Sequence, residues 1–548
     1  MGSIDLAIVA VYAIGLFAIA QWVSRDSGQA KTTEDYFLAG RTLPWWAIGA
    51  SLIAANISAE QIIGQSGQGF VVGLAIAAYE WQAAIVLLLV AKYFLPIFLK
   101  REIYTMPQFL QTRYGTGVKT LMSFYWIVLY TAVNLTAVLW LGGLAIESLT
   151  GLDVTLAMLA LAAFAVIYSI YGGLKAVALT DIIQVVILIF GGLAITWIAL
   201  DAVGAGNGAG AGLSRLGEEV PGHFEMILDE SHPNYSDLPG IWTLLGGLWV
   251  LHFSYWGFNQ YIIQRTLAAK SLRESQKGIL FAAGLKLIIP LIVVIPGIAA
   301  YVIVNDPEIL AGLGESGMMN IPTEGKADKA YPWLMQFLPV GFKGVAFAAL
   351  TAAIVSSLAS MLNSTSTIFT MDIYKQLIDK NANDKKMVRV GRISAALALI
   401  IGATMAPLLG GIDQAFQFIQ EYTGIVSPGI LAVFILGLFW KKTTNKAAIW
   451  GALSSIPIAM FLKVGSKGWV DGNSLEAFFP KLPWMDQMGL TALLTMAVIV
   501  LVSIRQNKGA EDSKAINLPK EIFKTSPLFN IGAFATLIIL TVIYALFW

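Results

Sequence analysis

The 548 residues contain no cysteine and only three histidines, His223, His232 and His252. The first absence removes disulfide scaffolds, thiolate catalysis, iron–sulfur clusters and cysteine-ligated zinc. The second leaves too few imidazoles for a haem or copper centre built by the protein itself. Charge is also scarce, at 13% of residues against roughly 25% in soluble domains. Lysine and arginine number 35 and aspartate and glutamate 34, so the net charge of +1 provides no bulk field to gather nucleic acid, and no nucleic-acid partner is expected. Apolar side chains fill the gap, at 57% of the chain with a mean hydropathy of +0.72. Such a composition has lipid as its main solvent. No GxxxxGK[ST] phosphate loop and no long hydrophilic stretch is present, which disfavours an ATP-driven pump. Any driving energy has to come from a gradient.

A spanning helix needs about 20 mainly apolar residues. Fourteen such stretches are predicted, with cores at 5–24, 45–65, 71–99, 119–147, 154–171, 179–200, 240–263, 277–303, 342–371, 391–408, 412–440, 446–463, 488–505 and 528–547. The first lacks a basic leader region and carries Asp5, so it is expected to remain as a helix. With alternating loops, 26 of the 35 Lys and Arg residues fall on one side, Arg25, Lys31, Arg113, Lys119 and Arg265 among them, and seven on the other. Positive charge marks the inner face, which puts both termini outside. The long outer loops 201–239 and 304–341 are expected to form lids or short surface helices.

Polar residues at membrane depth are costly and are usually retained for function. Ser51 to Gln65, containing Asn56, Ser58 and Gln61, is too polar and too rich in small residues for a uniform span, and reads as a helix broken near its middle. Such breaks expose main-chain carbonyls and half-helix ends, from which transporters build midplane sites. Glu80 lies among apolar neighbours, and Lys286 sits ten residues into an apolar helix and needs a buried acceptor, for which Glu80 is the candidate. His252, Tyr255, Trp256 and Asn259 share one face at helical spacing. Ser356, Ser357, Ser360, Asn363 and Ser364 cluster hydroxyls and an amide in the ninth stretch, where oxygen ligands would suit a hard cation such as sodium. Back-bonding of each serine to its own helix accounts for them singly but not for their clustering. Gln414, Gln417, Gln420 and Glu421, followed by Gly424 and Pro428, read as a second interrupted helix.

Ala54–Gln61 (AANISAEQ), Ala78–Trp81 (AYEW), Tyr255–Lys270 (YWGFNQYIIQRTLAAK), Ala353–Asn363 (AIVSSLASMLN) and Phe418–Gly424 (FIQEYTG) resemble the solute:sodium symporter family over nearly the whole chain, above all its sodium/galactose and sodium/glucose branch. The resemblance implies an all-α integral membrane protein with the LeuT-type fold. One extra helix (1–44) would precede two inverted five-helix repeats (45–239 and 240–440), with three helices after them (441–548). It implies sodium as the coupling ion and a small-molecule sugar as partner, in a multi-pass protein of the plasma (inner) membrane with periplasmic termini. Gln61, Glu80, Lys286 and Gln420 fall on the family's sugar ligands, with Asn56, His252 and Asn259 in the same pocket and Tyr255 and Trp256 at its inner gate. Sodium would take the carbonyls of Ala54, Ile57 and Ala353 and the hydroxyls of Ser356 and Ser357, with Asp181 guiding its exit. His252 and Ala83 stand where the branch carries asparagine and serine, which leaves the choice of sugar open.

The function expected is therefore secondary active uptake of a monosaccharide by alternating access. A sodium-coupled carrier of proline, pantothenate, sialic acid or another organic anion or zwitterion is the alternative, and would need an unpaired Arg or a helix N-terminus facing the carboxylate, a part that Lys286 could take if Glu80 is not its partner. A gated channel or sensor ranks below both. No catalytic nucleophile, metal cluster or phosphate loop points to an enzyme. Oligomeric state is not encoded in any of these features.

Overall fold

Lipid offers no partners to backbone N–H and C=O groups, so long apolar runs satisfy them internally as helices. The computed structural model describes residues 2–24, 32–317, 320–410, 415–467 and 481–548, and they are helical almost throughout. The helices used below are α1 (Ser3–Ser24), α2 (Trp45–Asn56), α3 (Glu60–Val71), α4 (Leu74–Lys100), α5 (Thr116–Thr150) and α6 (Val154–Val203). They continue with α7 (Leu248–His252), α8 (Gln260–Leu267), α9 (Leu272–Asn305), α10 (Phe342–Ile378) and α11 (Asp384–Leu409). The last four are α12 (Ala415–Phe439), α13 (Asn445–Lys467), α14 (Trp484–Asn507) and α15 (Pro527–Leu546).

Among the described residues ten helices are long and apolar enough to cross a bilayer, and α2 with α3 makes an eleventh span bent by 61°. The expected count of fourteen is not reached by this measure. The apolar parts Ser3–Ile19 and Val154–Val166 are shorter, and the stretch at 240–263 is broken into pieces. The fifth and sixth stretches run together in the 50 residues of α6, within which Leu174–Val203 alone meets the requirements of a span. The second expected interruption, in α12, is absent from the described residues: the helix is continuous from Ala415 to Phe439 with Pro428 inside it. Local hydroxyls serve its backbone there, Ser427 donating to the Thr423 carbonyl at 2.9 Å and Ser254 to the Ser427 carbonyl at 2.8 Å. Gln414 lies outside the described residues.

Two breaks organise the centre. At the end of α2, Ile57 turns extended (φ −80°, ψ 101°). Ser58 and Gln61 then form the start of α3: the Ser58 hydroxyl accepts the Glu60 N–H at 3.1 Å, and the Ser58 N–H donates to Gln61 Oε1 at 3.0 Å. This reciprocal pairing is the capping-box logic of S-x-x-Q applied in mid-membrane. Before α8, a π-helical turn at Phe253–Phe258 ends at Asn259, which is extended (φ −73°, ψ 124°) and caps the new helix through the Tyr261 N–H. Helix α9 packs against both α2 and α3. The approach is close enough that a Cβ on Gly297 would lie 2.0 Å from the Ser66 carbonyl oxygen, so only glycine fits.

Loops 201–239 and 304–341 carry short helices, of which Ala209–Glu219 and Pro307–Gly312 lie at the surface as expected, whereas Ala330–Met335 is buried. Arg215 ties the two loops together, donating to Glu219 at 2.7 Å and Asp306 at 2.6 Å. The Ile309 N–H, with those of Glu308 and Arg215 adding to it, holds the Asp306 carboxyl below its usual range. Three residues assigned above to inner loops are instead buried. Arg113 serves the Gly437 and Thr443 carbonyls, Lys119 pairs with Asp372 at 3.0 Å, and Arg265 faces Asp181. A cation counted as loop charge can enter the protein when a partner waits there. Arg25 and Lys31 lie outside the described residues.

Candidate functional site

Between the two breaks lies a small cavity lined by polar and aromatic side chains. Its wall includes Asn56, Gln61, Glu80, His252, Tyr255, Trp256, Asn259, Lys286 and Gln420, so every substrate and gate residue named from the sequence meets here. The π turn departs from regular helical spacing, yet His252, Tyr255, Trp256 and Asn259 still face one space.

Lys286 on α9 is buried, and its ammonium pairs with Glu80 on α4 and donates to Asn56 Oδ1. The ring of Trp256 lies 5.0 Å from the same nitrogen. Gln65 donates to the other oxygen of Glu80 at 2.8 Å. Asn56 passes the chain on to the Tyr255 hydroxyl at 3.1 Å, which also accepts from Tyr261 at 2.7 Å. Helices α2, α3, α4 and α9 are thereby joined through one ion pair, and Tyr255 and Tyr261 extend the chain to the π-helical turn and α8.

Other candidates are partly committed to structure. Gln61 spends its carbonyl oxygen on Ser58, and Asn259 accepts from Tyr130 at 2.5 Å while capping α8. Gln420 donates its amide to Glu60 at 2.7 Å. His252 is buried against Tyr79, and its Nε2 has no protein partner. Ala83 is buried in α4.

The second group gathers where α2 ends against α6 and α10. A helix leaves its last carbonyls without partners of its own. Ser357 donates at 3.2 Å to the carbonyl of Ala55, a residue that stands between Ala54 and Ile57 in sequence. Ser356 donates to Asp181 Oδ1 and Ser51 to Asp181 Oδ2, each at 2.5 Å. A hydroxyl that gives its proton to a carboxylate keeps its lone pairs for a cation. Ala353 is buried one turn away on α10. Ser360 does bond back to its own helix, at 2.6 Å to the Ser356 carbonyl, so single-serine back-bonding is also present.

Sequence reasoning passed over several neighbours. Arg265 stands 3.5 Å from Asp181, donates to Ser51 at 2.6 Å and also reaches Ser360 and the Tyr261 carbonyl. Its place next to a helix end made it look like a loop charge. Glu60, Gln65, Tyr79, Asn134 and Tyr261 also line the cavity. The rule that singled out Glu80, a carboxylate at membrane depth, applies equally to Glu60.

Comparison with known proteins agrees with this geometry. A family model, Sodium:solute symporter family, matches residues 36–454. A sodium/glucose cotransporter of Vibrio parahaemolyticus is 58% identical over 550 residues, covering 100% of this chain and 99% of its own. Human sodium/myo-inositol cotransporter 2 is 33% identical, covering 83% of this chain and 69% of its own. Among solved structures, a substrate-bound, outward-open Na+-coupled sialic acid symporter superposes with a TM-score of 0.78 at 20% identity, over 94% of this chain and 99% of that one. At that identity the likeness is one of fold, the all-helical, LeuT-type membrane architecture.

Proposed function

The chain belongs to the sodium:solute symporter family, and from that premise we propose that it couples sodium entry to the uptake of a neutral monosaccharide of the galactose/glucose type by alternating access. It is a multi-pass membrane protein and a sodium-coupled transporter rather than an enzyme. The observation that carries the sugar reading is the state of Lys286. Among the described residues lining the cavity it is the one Lys or Arg, and it is paired with Glu80. A carboxylate substrate would have to break that pair, whereas a neutral polyol leaves it intact. Around the pair, Gln65 Oε1, Tyr79 Oη, Asn134 Oδ1 and His252 Nε2 are enclosed polar atoms without protein partners. Hydroxyls, which donate and accept, suit such a set. The name of the Vibrio relative points the same way.

In this reading Gln61, Glu80, Lys286, Gln420, Asn56, His252 and Asn259 hold the sugar while Tyr255 and Trp256 close the inner side. Sodium sits on the carbonyls of Ala54, Ile57 and Ala353 and the hydroxyls of Ser356 and Ser357, and leaves past Asp181. Sodium at the end of α2 draws α2 and α10 together and favours the outward-facing form; sugar then permits closure. Each ligand shifts the conformers only by its differential affinity for them, so the coupling is reciprocal. The breaks at Ile57 and Asn259 support two repeats, 45–239 and 240–440, each opening on an interrupted helix, with 1–44 before and 441–548 after them. The distribution of Lys and Arg supports an orientation with both termini outside, and the family points to the plasma (inner) membrane. The test is uptake by purified protein in liposomes, using a panel of labelled sugars and amino acids with and without a sodium gradient. Sodium-dependent accumulation of a hexose is expected; accumulation of amino or organic acids in its place overturns the reading.

A further inference from the structure

None of the sugar ligands named above lies on α5, yet that helix reaches the cavity through a π-helical turn at Leu129–Leu135, a rare element that tends to mark functional sites. The turn is docked on the second break: the Tyr130 hydroxyl donates to Asn259 Oδ1 at 2.5 Å and accepts the Gln260 N–H at 2.9 Å. Further along the same turn, Asn134 lines the cavity at 8% exposure. Among the described residues the carboxamides of the wall are those of Asn56, Gln61, Gln65, Asn134, Asn259 and Gln420. All but one are engaged: Asn56 with Lys286 and Tyr255, Gln61 with Ser58, Gln65 with Glu80, Asn259 with Tyr130 and Gln420 with Glu60. Asn134 makes no hydrogen bond to any described residue. A buried amide without a partner is costly at membrane depth, so its partner comes from whatever fills the cavity. Water can serve it while the cavity is open. Once a sugar has displaced that water, a sugar hydroxyl has to take its place.

We propose that Asn134 is a specificity-determining residue of the transport pocket, hydrogen-bonded through its amide to one hydroxyl of the bound sugar. The inference rests on the sugar reading above and adds to it a ligand on a wall of the pocket, α5, that the reading leaves out. An amide carries no charge and offers both a donor and an acceptor, so it matches a hydroxyl whichever way that group turns its proton. Two consequences separate this from a structural role. Asn134→Leu removes both polar atoms at nearly constant bulk and breaks no hydrogen bond within the described protein, so affinity rather than stability is lost. That loss is confined to one hydroxyl of the sugar. The sodium requirement does not change, because no proposed sodium ligand lies on α5.

The experiment is uptake into liposomes, under an inward sodium gradient, of the hexose that the wild type accumulates best, with each of its monodeoxy analogues as competitor. Wild type and Asn134→Leu are compared, with thermal stability as a check on folding; Asn134→Ala, which also removes the amide, stands in if the leucine variant does not fold. The variant is expected to lose about fivefold or more in apparent affinity for the hexose, the scale of one hydrogen bond between neutral groups. At one ring position the deoxy analogue should bind the wild type about fivefold worse than the hexose does, and bind the variant within about twofold of the hexose. At the other positions the two proteins should show the same losses, and the sodium half-saturation at saturating hexose should stay within about twofold. Equal losses in both proteins at every position overturn the inference while leaving sugar transport standing. Absence of sodium-driven hexose uptake by the wild type overturns the transport reading and this one with it.

Discussion

The ammonium of Lys286 on α9 and the carboxylate of Glu80 on α4 pair in the middle of the cavity wall, each side chain at most 3% exposed. Neither charge is tolerable there alone, since removing one partner of a buried pair typically costs about 3–5 kcal/mol. Lys286→Met or Glu80→Gln should therefore lower the melting temperature in detergent markedly. The double variant, which buries no charge, should recover much of that loss. Transport should vanish in all three, because the pair also lines the proposed sugar pocket. Two single variants as stable as wild type would show that the pair is not the load each partner needs.

Ser357 donates to the Ala55 carbonyl beside the proposed sodium ligands and has no place in the cavity wall. Ser357→Ala should raise the sodium concentration needed for half-maximal uptake by about tenfold, the value of one polar ligand of about 1–2 kcal/mol. Sugar affinity at saturating sodium should stay within about twofold. Sodium titrations of uptake decide the matter, and an unchanged curve counts against the ion site.

Arg265 and Asp181 form a second buried pair, linked through Ser51, Ser356 and Ser360 to α2 and α10. Arg265→Gln leaves Asp181 charged beside Ser356 with no counter-ion. Sodium should then bind more tightly and leave more slowly, so that half-saturation falls while maximal uptake drops several-fold. Asp181→Asn added to it should restore the sodium half-saturation toward the wild-type value. Efflux of labelled sodium from preloaded liposomes measures the release step; normal efflux from Arg265→Gln would remove Asp181 from the exit route.

Much of this was legible in the chain because lipid is an unforgiving solvent. The break at Ile57 is written as S-x-x-Q inside an otherwise apolar span, and Lys286 announced its need for an acid. Long apolar runs predicted most of the spans, but composition could not say where α6 ends one crossing and begins another, nor that Pro428 would be absorbed without a break in α12. Loop position also misled. Arg113, Lys119 and Arg265 read as inner-face charge from their distance to apolar stretches, and the partners that draw them inward lie between 84 and more than 300 residues away in sequence. Pairing across such distances has no local signal.

His252 is one of the two positions, with Ala83, at which the sequence resemblance leaves the choice of sugar open. Its ring is buried edge-on to Tyr79 with 6.3 Å between centroids, and its Nε2 has no protein partner although it belongs to the cavity wall. A neutral imidazole offers one donor and one acceptor on opposite sides of a flat ring, whereas an asparagine presents both on a shorter arm. The two therefore reach hydroxyls at different heights, and an axial hydroxyl differs from an equatorial one by about that displacement. His252→Asn should change the ratio of galactose to glucose uptake by several-fold and leave the sodium half-saturation where it was. Competition of each sugar against a single labelled substrate measures the ratio without depending on expression level. An unchanged ranking would make the ring a packing group against Tyr79, and His252→Phe, which keeps the ring and removes both nitrogens, should then transport as the wild type does.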